Sequence, residues 1–309
     1  MIEVQDLTKR YGDLVAVNGL SFKVDQGRIW GLLGPNAAGK TTTMRILTGY
    51  LPATEGRATV AGFDVFNETD AVKRSIGYLP ENVPLYHDMT VTGYLGFVAE
   101  IKQVPAAKRK DAVGRSLKAA GLEGVKGRLV KNISRGYKQR VGIAQAMIHD
   151  PQVLVLDEPT IGLDPAQIIE IRELIRSLRG EHTILLSTHI LAEVTQVCDG
   201  AVIINEGRLM ASGSLEGLTA SFRQKEGVAV KLRRGGPEAA DMFRSLPGVE
   251  KVTAVGTELR IEWGPGLRDL HDDVTRLALD KGLGLLEMRP AAMSIEDLYM
   301  RIVSGGLEQ

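Results

Sequence analysis

The sequence predicts an α/β protein: a mostly parallel sheet, a helical stretch inserted within it, and a smaller α+β module behind it. Three observations carry this prediction. Short apolar runs at Arg28–Leu33, Val153–Leu156 and Thr183–Ser187 suit buried strands, and helix-forming sequence alternates with them. Residues 86–150, between the first two runs, read as nearly all helix. After about residue 220 the order changes to strand, helix, two strands, helix, strand, which is that of a ferredoxin-like module. The expected division is therefore 1–220, with a helical part at about 86–150, and 221–309.

Each element has a local reason. Arg28–Leu33 (RIWGLL) runs into a glycine-rich loop, and Thr41–Leu47 carries Met44, Ile46 and Leu47 before Gly49, the pattern of one short helix stopped by glycine. The helical stretch breaks into pieces near Val91–Lys102, Ala106–Ala120 and Ser134–His149. The run VLVL at Val153–Leu156 follows Asp150-Pro151 and leads into Asp157-Glu158-Pro159. Asp164 is placed as an N-cap with Pro165 at the first helical position, and Ile168, Ile171, Ile175 and Leu178 recur at helical spacing before Gly180. A strand at Thr183–Ser187, a helix from about Ile190 and a strand at Ala201–Asn205 follow. Glu206-Gly207 then turns the chain back through Arg208–Met210 as a hairpin.

In the last part, Val228, Val230 and Leu232 alternate as a strand, and Ala239, Met242, Phe243 and Leu246 share a helix face. Strands are expected at Val249–Val255, through Leu259, Ile261 and Trp263, and at Leu283–Met288. Leu267, Leu270, Val274 and Leu277 mark a second helix, and a last one is expected from Ser294.

Composition bounds the function. With 309 residues, at about 100–200 per domain, two units are expected. Hydrophobic residues at 44% and charged residues at 25% are those of an ordinary globular protein. Lys+Arg and Asp+Glu stand at 38 each, so no net field draws the chain to nucleic acid or acidic lipid, and no nucleic-acid partner is expected. The single cysteine, Cys198, excludes an internal disulfide framework and fits a reducing compartment. The opening MIEVQDLTKRYG lacks the order of a signal peptide, and no stretch approaches the ~18 apolar residues of a spanning helix. A membrane role requires a partner chain.

Gly34, Pro35, Asn36, Ala37, Ala38, Gly39, Lys40 and Thr41 spell GPNAAGKT, the phosphate-loop spacing G-x-x-x-x-G-K-[ST], in the strand–loop–helix context that the motif needs. Backbone N–H groups from Asn36 to Thr42 are expected to point inward at a polyphosphate, with the following helix presenting its positive end. Lys40 would add charge at the β- and γ-phosphates, and the Thr41 hydroxyl is placed to ligate Mg²⁺. Asp157 and Glu158 end a buried strand, where adjacent carboxylates are costly without a cation opposite. Asp157 would help to hold Mg²⁺ and Glu158 would orient or deprotonate the attacking water. His189 lies just past a third strand end, where it could touch a γ-phosphate.

These elements, in this order, resemble the ATP-binding cassette (ABC) family of transporter ATPases, a P-loop NTPase fold with a RecA-like core and a helical subdomain. GPNAAGKT looks like its phosphate loop, VLVLDE its second nucleotide motif, Gly162-Leu163-Asp164 its dimer loop and Ser187-Thr188-His189 its switch histidine. Ile133–Arg140 (ISRGYKQR) stands where the family's signature, usually LSGGQ, is found. The resemblance implies that Tyr11 stacks on adenine, although an early loop tyrosine could also be plain surface, and that Glu81 takes the place of a glutamine contacting Mg²⁺ and water. It implies that Ser134, as an N-cap, and the Gly136 backbone face the γ-phosphate of a second cassette in a head-to-tail dimer. The chain would then pair with itself or with a similar ATPase, and the Glu81–Tyr94 stretch would border the groove for a separate membrane permease. That would place the chain in the cytoplasm, peripheral on the inner face of the cell membrane.

Three positions depart from the usual pattern. Ala37 replaces a glycine of GPNGAGKT, where positive φ would cost about 1 kcal/mol or more. Arg135 and Tyr137 replace the third and fifth signature letters. Such changes resemble the subfamily serving ABC-2 type exporters, with gliding-motility and multidrug ATPases most similar, and the added C-terminal module fits it too. The competing readings are a non-transport cassette ATPase and a regulatory cassette that binds ATP without turnover.

Overall fold

The structure, a computed structural model, describes residues 1–221, 226–234, 236–264, 270–290 and 299. The chain divides into two compact units, Met1–Leu215 and Glu216–Arg301.

In the first unit, β1 (Ile2–Tyr11), β2 (Leu14–Val24) and β3 (Ile29–Leu33) precede α1 (Lys40–Leu47). Then come β4 (Glu55–Val60), β5 (Phe63–Asp64), α2 (Thr69–Ser75) and β6 (Ile76–Leu79). The helical stretch holds α3 (Val91–Ile101), α4 (Ala106–Ala119) and α5 (Arg135–Met147), close to the expected pieces. Next are β7 (Val153–Asp157), α6 (Pro165–Ser177), β8 (Thr183–Thr188), α7 (Leu191–Val197), β9 (Gly200–Asn205) and β10 (Arg208–Ser214), and α8 (Leu215–Ser221) follows. Asp164 caps α6 by accepting from Gln167 N, and Ser134 caps α5 by accepting from Tyr137 N.

Two sheets form this unit. One has the order β10-β9-β3-β8-β7-β6, parallel from β9 to β6, with β10 antiparallel as the hairpin signal required. The other is antiparallel, β2-β1-β4-β5, and was not foreseen. Tyr11, read as a loop residue, instead closes β1. The core lies where Val4, Leu20 and Val60 of the antiparallel sheet meet Met44, Ile46 and Leu47 of α1 and Leu32, Val155 and Val202 of the parallel one.

The second unit contains β11 (Glu226–Leu232), α9 (Pro237–Arg244), β12 (Val249–Val255), β13 (Glu258–Trp263), α10 (His271–Asp280) and β14 (Leu285–Pro290). Its sheet order is β12-β13-β11-β14, antiparallel throughout. Val228, Val230, Phe243, Ile261, Trp263 and Val274 pack its core. Met242 corrects the sequence reading. The buried face of α9 is Ala239, Ala240 and Phe243, whereas Met242 lies two residues past Ala240, about 200° round the helix, and is 37% exposed. Leu267 and, apart from Tyr299, the residues of the helix expected from Ser294 lie outside the described residues. Among the described residues no helix is long and apolar enough to cross a membrane.

Candidate nucleotide site

Strands β3, β8 and β7 are neighbours in the parallel sheet, so the residues that follow their carboxyl ends converge. The glycine loop leaves β3, His189 follows β8, and Glu158 follows β7.

The loop is shaped by close backbone approach. A Cβ on Gly34 would lie 2.4 Å from the Ile204 carbonyl oxygen, and one on Gly39, at φ 99°, would lie 2.5 Å from that of Ala16. The loop is also tied to the β9–β10 turn, since Gly207 N donates to Ala38 O at 3.1 Å and Asn18 N donates to Gly207 O at 2.8 Å. Ala37 sits at φ 64°, the positive value that its methyl group makes costly. One expectation changes: the Ala38 N–H is turned back onto Pro35 O at 3.2 Å, so it does not point inward with its neighbours.

Lys40 is buried at the head of α1, donating to Gly34 O at 2.9 Å and Pro35 O at 3.1 Å and pairing with Glu158 Oε1 at 3.5 Å. Glu158 is also buried and takes φ 47°, a left-handed conformation that is rare for a non-glycine residue and clusters at functional sites. Its carboxylate lies 3.0 and 3.2 Å from His189 Nδ1. The cation that two adjacent carboxylates require is thus Lys40, and it serves Glu158. Asp157, 1% exposed, is held otherwise: its Oδ1 accepts from Ser187 Oγ at 2.5 Å and from Thr41 Oγ1 at 3.4 Å. Burial, and then the Asp157 carboxylate, push the Tyr78 phenol up to about 12.

Asp157 Oδ2 is buried without a partner. A carboxylate with one orphaned oxygen beside a threonine hydroxyl is a hard-oxygen donor set, which fits Mg²⁺. Glu81, exposed, lines the same cleft as Thr41.

One cleft of about 700 Å³ is lined by Tyr11, Asn36, Ala37, Glu81, Glu158 and His189, together with the stretch from Gly39 to Thr42. Leu14, Ala16 and Ile161 complete its walls. Gly34, Pro35, Ala38 and Asp157 lie outside the lining; Gly34 and Pro35 supply the carbonyls that hold Lys40. Ser134, Gly136 and Asp164 do not line the cleft either. The start of α5 instead packs against the segment leading into α6: Arg135 donates to the carbonyl of the cleft residue Ile161 at 3.0 Å, and a Cβ on Gly136 would lie 2.7 Å from the side chain of Gln167, whose N–H Asp164 caps.

Ser187 was missed as a site residue. Its hydroxyl donates to Asp157 and accepts from Glu158 N at 3.0 Å, fixing both carboxylate residues at once. The only sequence signal was its position at the end of an apolar strand, which it shares with many structural serines.

A strand–glycine loop–helix, with a carboxylate pair at the end of the strand next but one in the same parallel sheet, defines a phosphate-loop nucleoside triphosphatase. The sequence pattern of the family described as "ABC transporter" matches residues 17–161. The chain is 34% identical over 316 aligned residues to the bacitracin transport ATP-binding protein BcrA of Bacillus licheniformis, covering 99% of this chain and 98% of that one. It is 32% identical to the linearmycin resistance ATP-binding protein LnrL of Bacillus subtilis (strain 168), covering 98% of each. A solved ATP-binding subunit of an ABC transporter superposes with a TM-score of 0.65 at 31% identity, over 72% of this chain and 93% of that one. The chain belongs to the ABC transporter ATP-binding protein family, whose cassettes are ATPases.

Proposed function

We infer that this chain is the ATP-hydrolysing subunit of an ABC-2 type exporter, and that two cassettes close head to tail on ATP to drive a separate permease. The observation that carries this reading is the split of the motif residues. Tyr11, Asn36, Ala37, the stretch from Gly39 to Thr42, Glu81, Glu158 and His189 share one cleft, while Ser134 and Gly136 do not line it and lie at a helix N-terminus suited to an anion. A chain whose signature helix N-terminus does not open into its own nucleotide cleft is completed by a second chain.

In this reading Tyr11 stacks on adenine, loop N–H groups and Lys40 bind the phosphates, and Ser134, Gly136 and Asp164 come from the opposing cassette. Thr41 and Asp157, with Glu81 nearby, would hold Mg²⁺, which supplies charge neutralisation on the phosphate oxygens. Glu158 orients and deprotonates the attacking water, and His189, 3.0 Å from its carboxylate, contacts the γ-phosphate. The cassette comprises residues 1–220 and residues 221–309 form an accessory module. Relatives named for bacitracin transport and linearmycin resistance support an export task, with the cassette cytoplasmic on the inner face of the membrane.

The test is Glu158→Gln. The variant keeps ATP affinity, loses at least about 100-fold in turnover, as removal of a positioned base does, and elutes as a dimer with ATP. Turnover within about threefold of the parent, or a protein that stays monomeric with ATP bound, overturns the reading.

A further inference from the structure

Past its last rung, the register between β7 and β8 leaves the two functional turns without a ladder. The strands pair up to Asp157↔Ser187, and the chain then departs into the Glu158 turn on one side and the His189 turn on the other. Besides the His189–Glu158 contact and the Ser187 hydroxyl that holds Glu158 N, a buried carboxylate on α7 bridges the two sides. Glu193 is 2% exposed and uses both oxygens: Oε1 accepts from Thr160 Oγ1, and Oε2 accepts from Thr188 Oγ1 at 2.6 Å. Thr160 and Thr188 are themselves buried. Thr188 Oγ1 in turn accepts from Ile190 N at 3.0 Å, so the backbone on both sides of His189 is pinned to the hydroxyl that Glu193 holds. Thr160 sits two residues beyond Glu158, in a turn closed by Ile161 N donating to Glu158 O at 3.2 Å.

A buried carboxylate is a costly way to fill space, and an apolar side chain of similar volume is often at least as stabilising. Here the charge is balanced by Arg172, 3.7 Å from Oε1, whose other nitrogen donates to Gln196 Oε1 at 2.6 Å. An ionised carboxylate only accepts, so it matches two hydroxyl donors from two different turns. Leucine would leave both hydroxyls without this acceptor, and glutamine would turn one acceptor into a donor.

We propose that Glu193 is a positioning residue for ATP hydrolysis, locking the His189 turn to the Glu158 turn so that imidazole and carboxylate meet the γ-phosphate in fixed register. This rests on the roles proposed above for Glu158 and His189. Because Thr160 opens the loop that continues to Asp164, the same bridge ties the His189 turn to the segment leading into α6.

The experiment compares full-length Glu193→Gln and Thr188→Val with the parent for kcat, KM and binding of a fluorescent ATP analogue. Each variant lowers kcat about 10- to 100-fold, as a small misplacement of reacting groups does, with analogue affinity within about twofold. Thr188→Ser, which keeps the hydroxyl, restores kcat to within about threefold, and Glu193→Gln with Thr188→Val is no worse than either alone, as residues acting through one bridge require. A purely packing role predicts the opposite: kcat per folded molecule unchanged in both variants. That outcome overturns the proposal, and so does a loss of kcat that is fully additive in the double variant or is not rescued by serine. If Glu193→Gln does not fold, Thr188→Val and Thr188→Ser decide. Glu158→Gln in the same assay separates the two claims: if it turns over normally, the assignment of the base fails. If it is inactive while Glu193→Gln and Thr188→Val are not impaired, only the positioning role fails.

Discussion

Ala37 and Glu158 occupy the left-handed region, at φ 64° and 47°, on two walls of one cleft. At Ala37 the strain can be relieved without touching a polar group. Left-handed backbone costs an L-residue about 1–2 kcal/mol, and glycine returns about 0.4–1 kcal/mol as unfolded-state entropy. Ala37→Gly is therefore expected to raise stability by about 0.5 kcal/mol, read as a small rise in the urea midpoint. A fall would mean that the alanine methyl makes contacts worth more than the strain. The sequence had flagged this position through its departure from the usual loop pattern. The same reading could not find Ser187, since a serine that fixes two carboxylates across a strand pair differs from any other only by its partners.

At the scale of elements, α5 meets β6 through His149, just past the helix, whose Nε2 lies 3.1 Å from Ile76 O. Burial, and then the Lys102 ammonium, depress this imidazole from its ordinary 6.5 to about 4. Between those values the unfolded chain takes up a proton that the folded one refuses, so the unfolded state binds more protons. The stability that His149 contributes is whole above pH 6.5 and is lost as pH falls from there towards 4. His149→Gln, which retains a donor, is expected to flatten the decline of the urea midpoint across that window; an unchanged decline would remove His149 as its source. Strands β3, β7 and β8 were legible because every residue in them is buried and each carries a short apolar run, Ile29–Leu33, Val153–Leu156 and Ile184–Leu186. Strand β1 was not. Register shifts between Val4 and Leu7 and again between Leu7 and Lys9 break the period-two alternation that marks a one-sided strand.

For the whole molecule, two separate apolar clusters lie one in each compact unit. Calorimetry is therefore expected to resolve two transitions. Phe243 is fully buried in the second cluster, and Phe243→Ala should destabilise that unit by about 3–5 kcal/mol. The transition of the first unit should stay within about 0.5 kcal/mol of the parent. A single transition, lowered as a whole by the variant, would show instead that the two cores unfold as one.

The amino-acid order by itself determined the parallel sheet, the helical insert, the phosphate loop and the Asp157-Glu158 pair, because each is written in neighbouring residues: apolar period, glycine spacing, caps. Only the tertiary structure decided the antiparallel sheet that buttresses the loop, the Lys40–Glu158–His189 cluster and the Glu193 bridge. Those depend on which strand ends come to lie side by side, and the contacts that close them, Thr160–Glu193 at 33 positions apart and Glu158–His189 at 31, leave no local pattern to read.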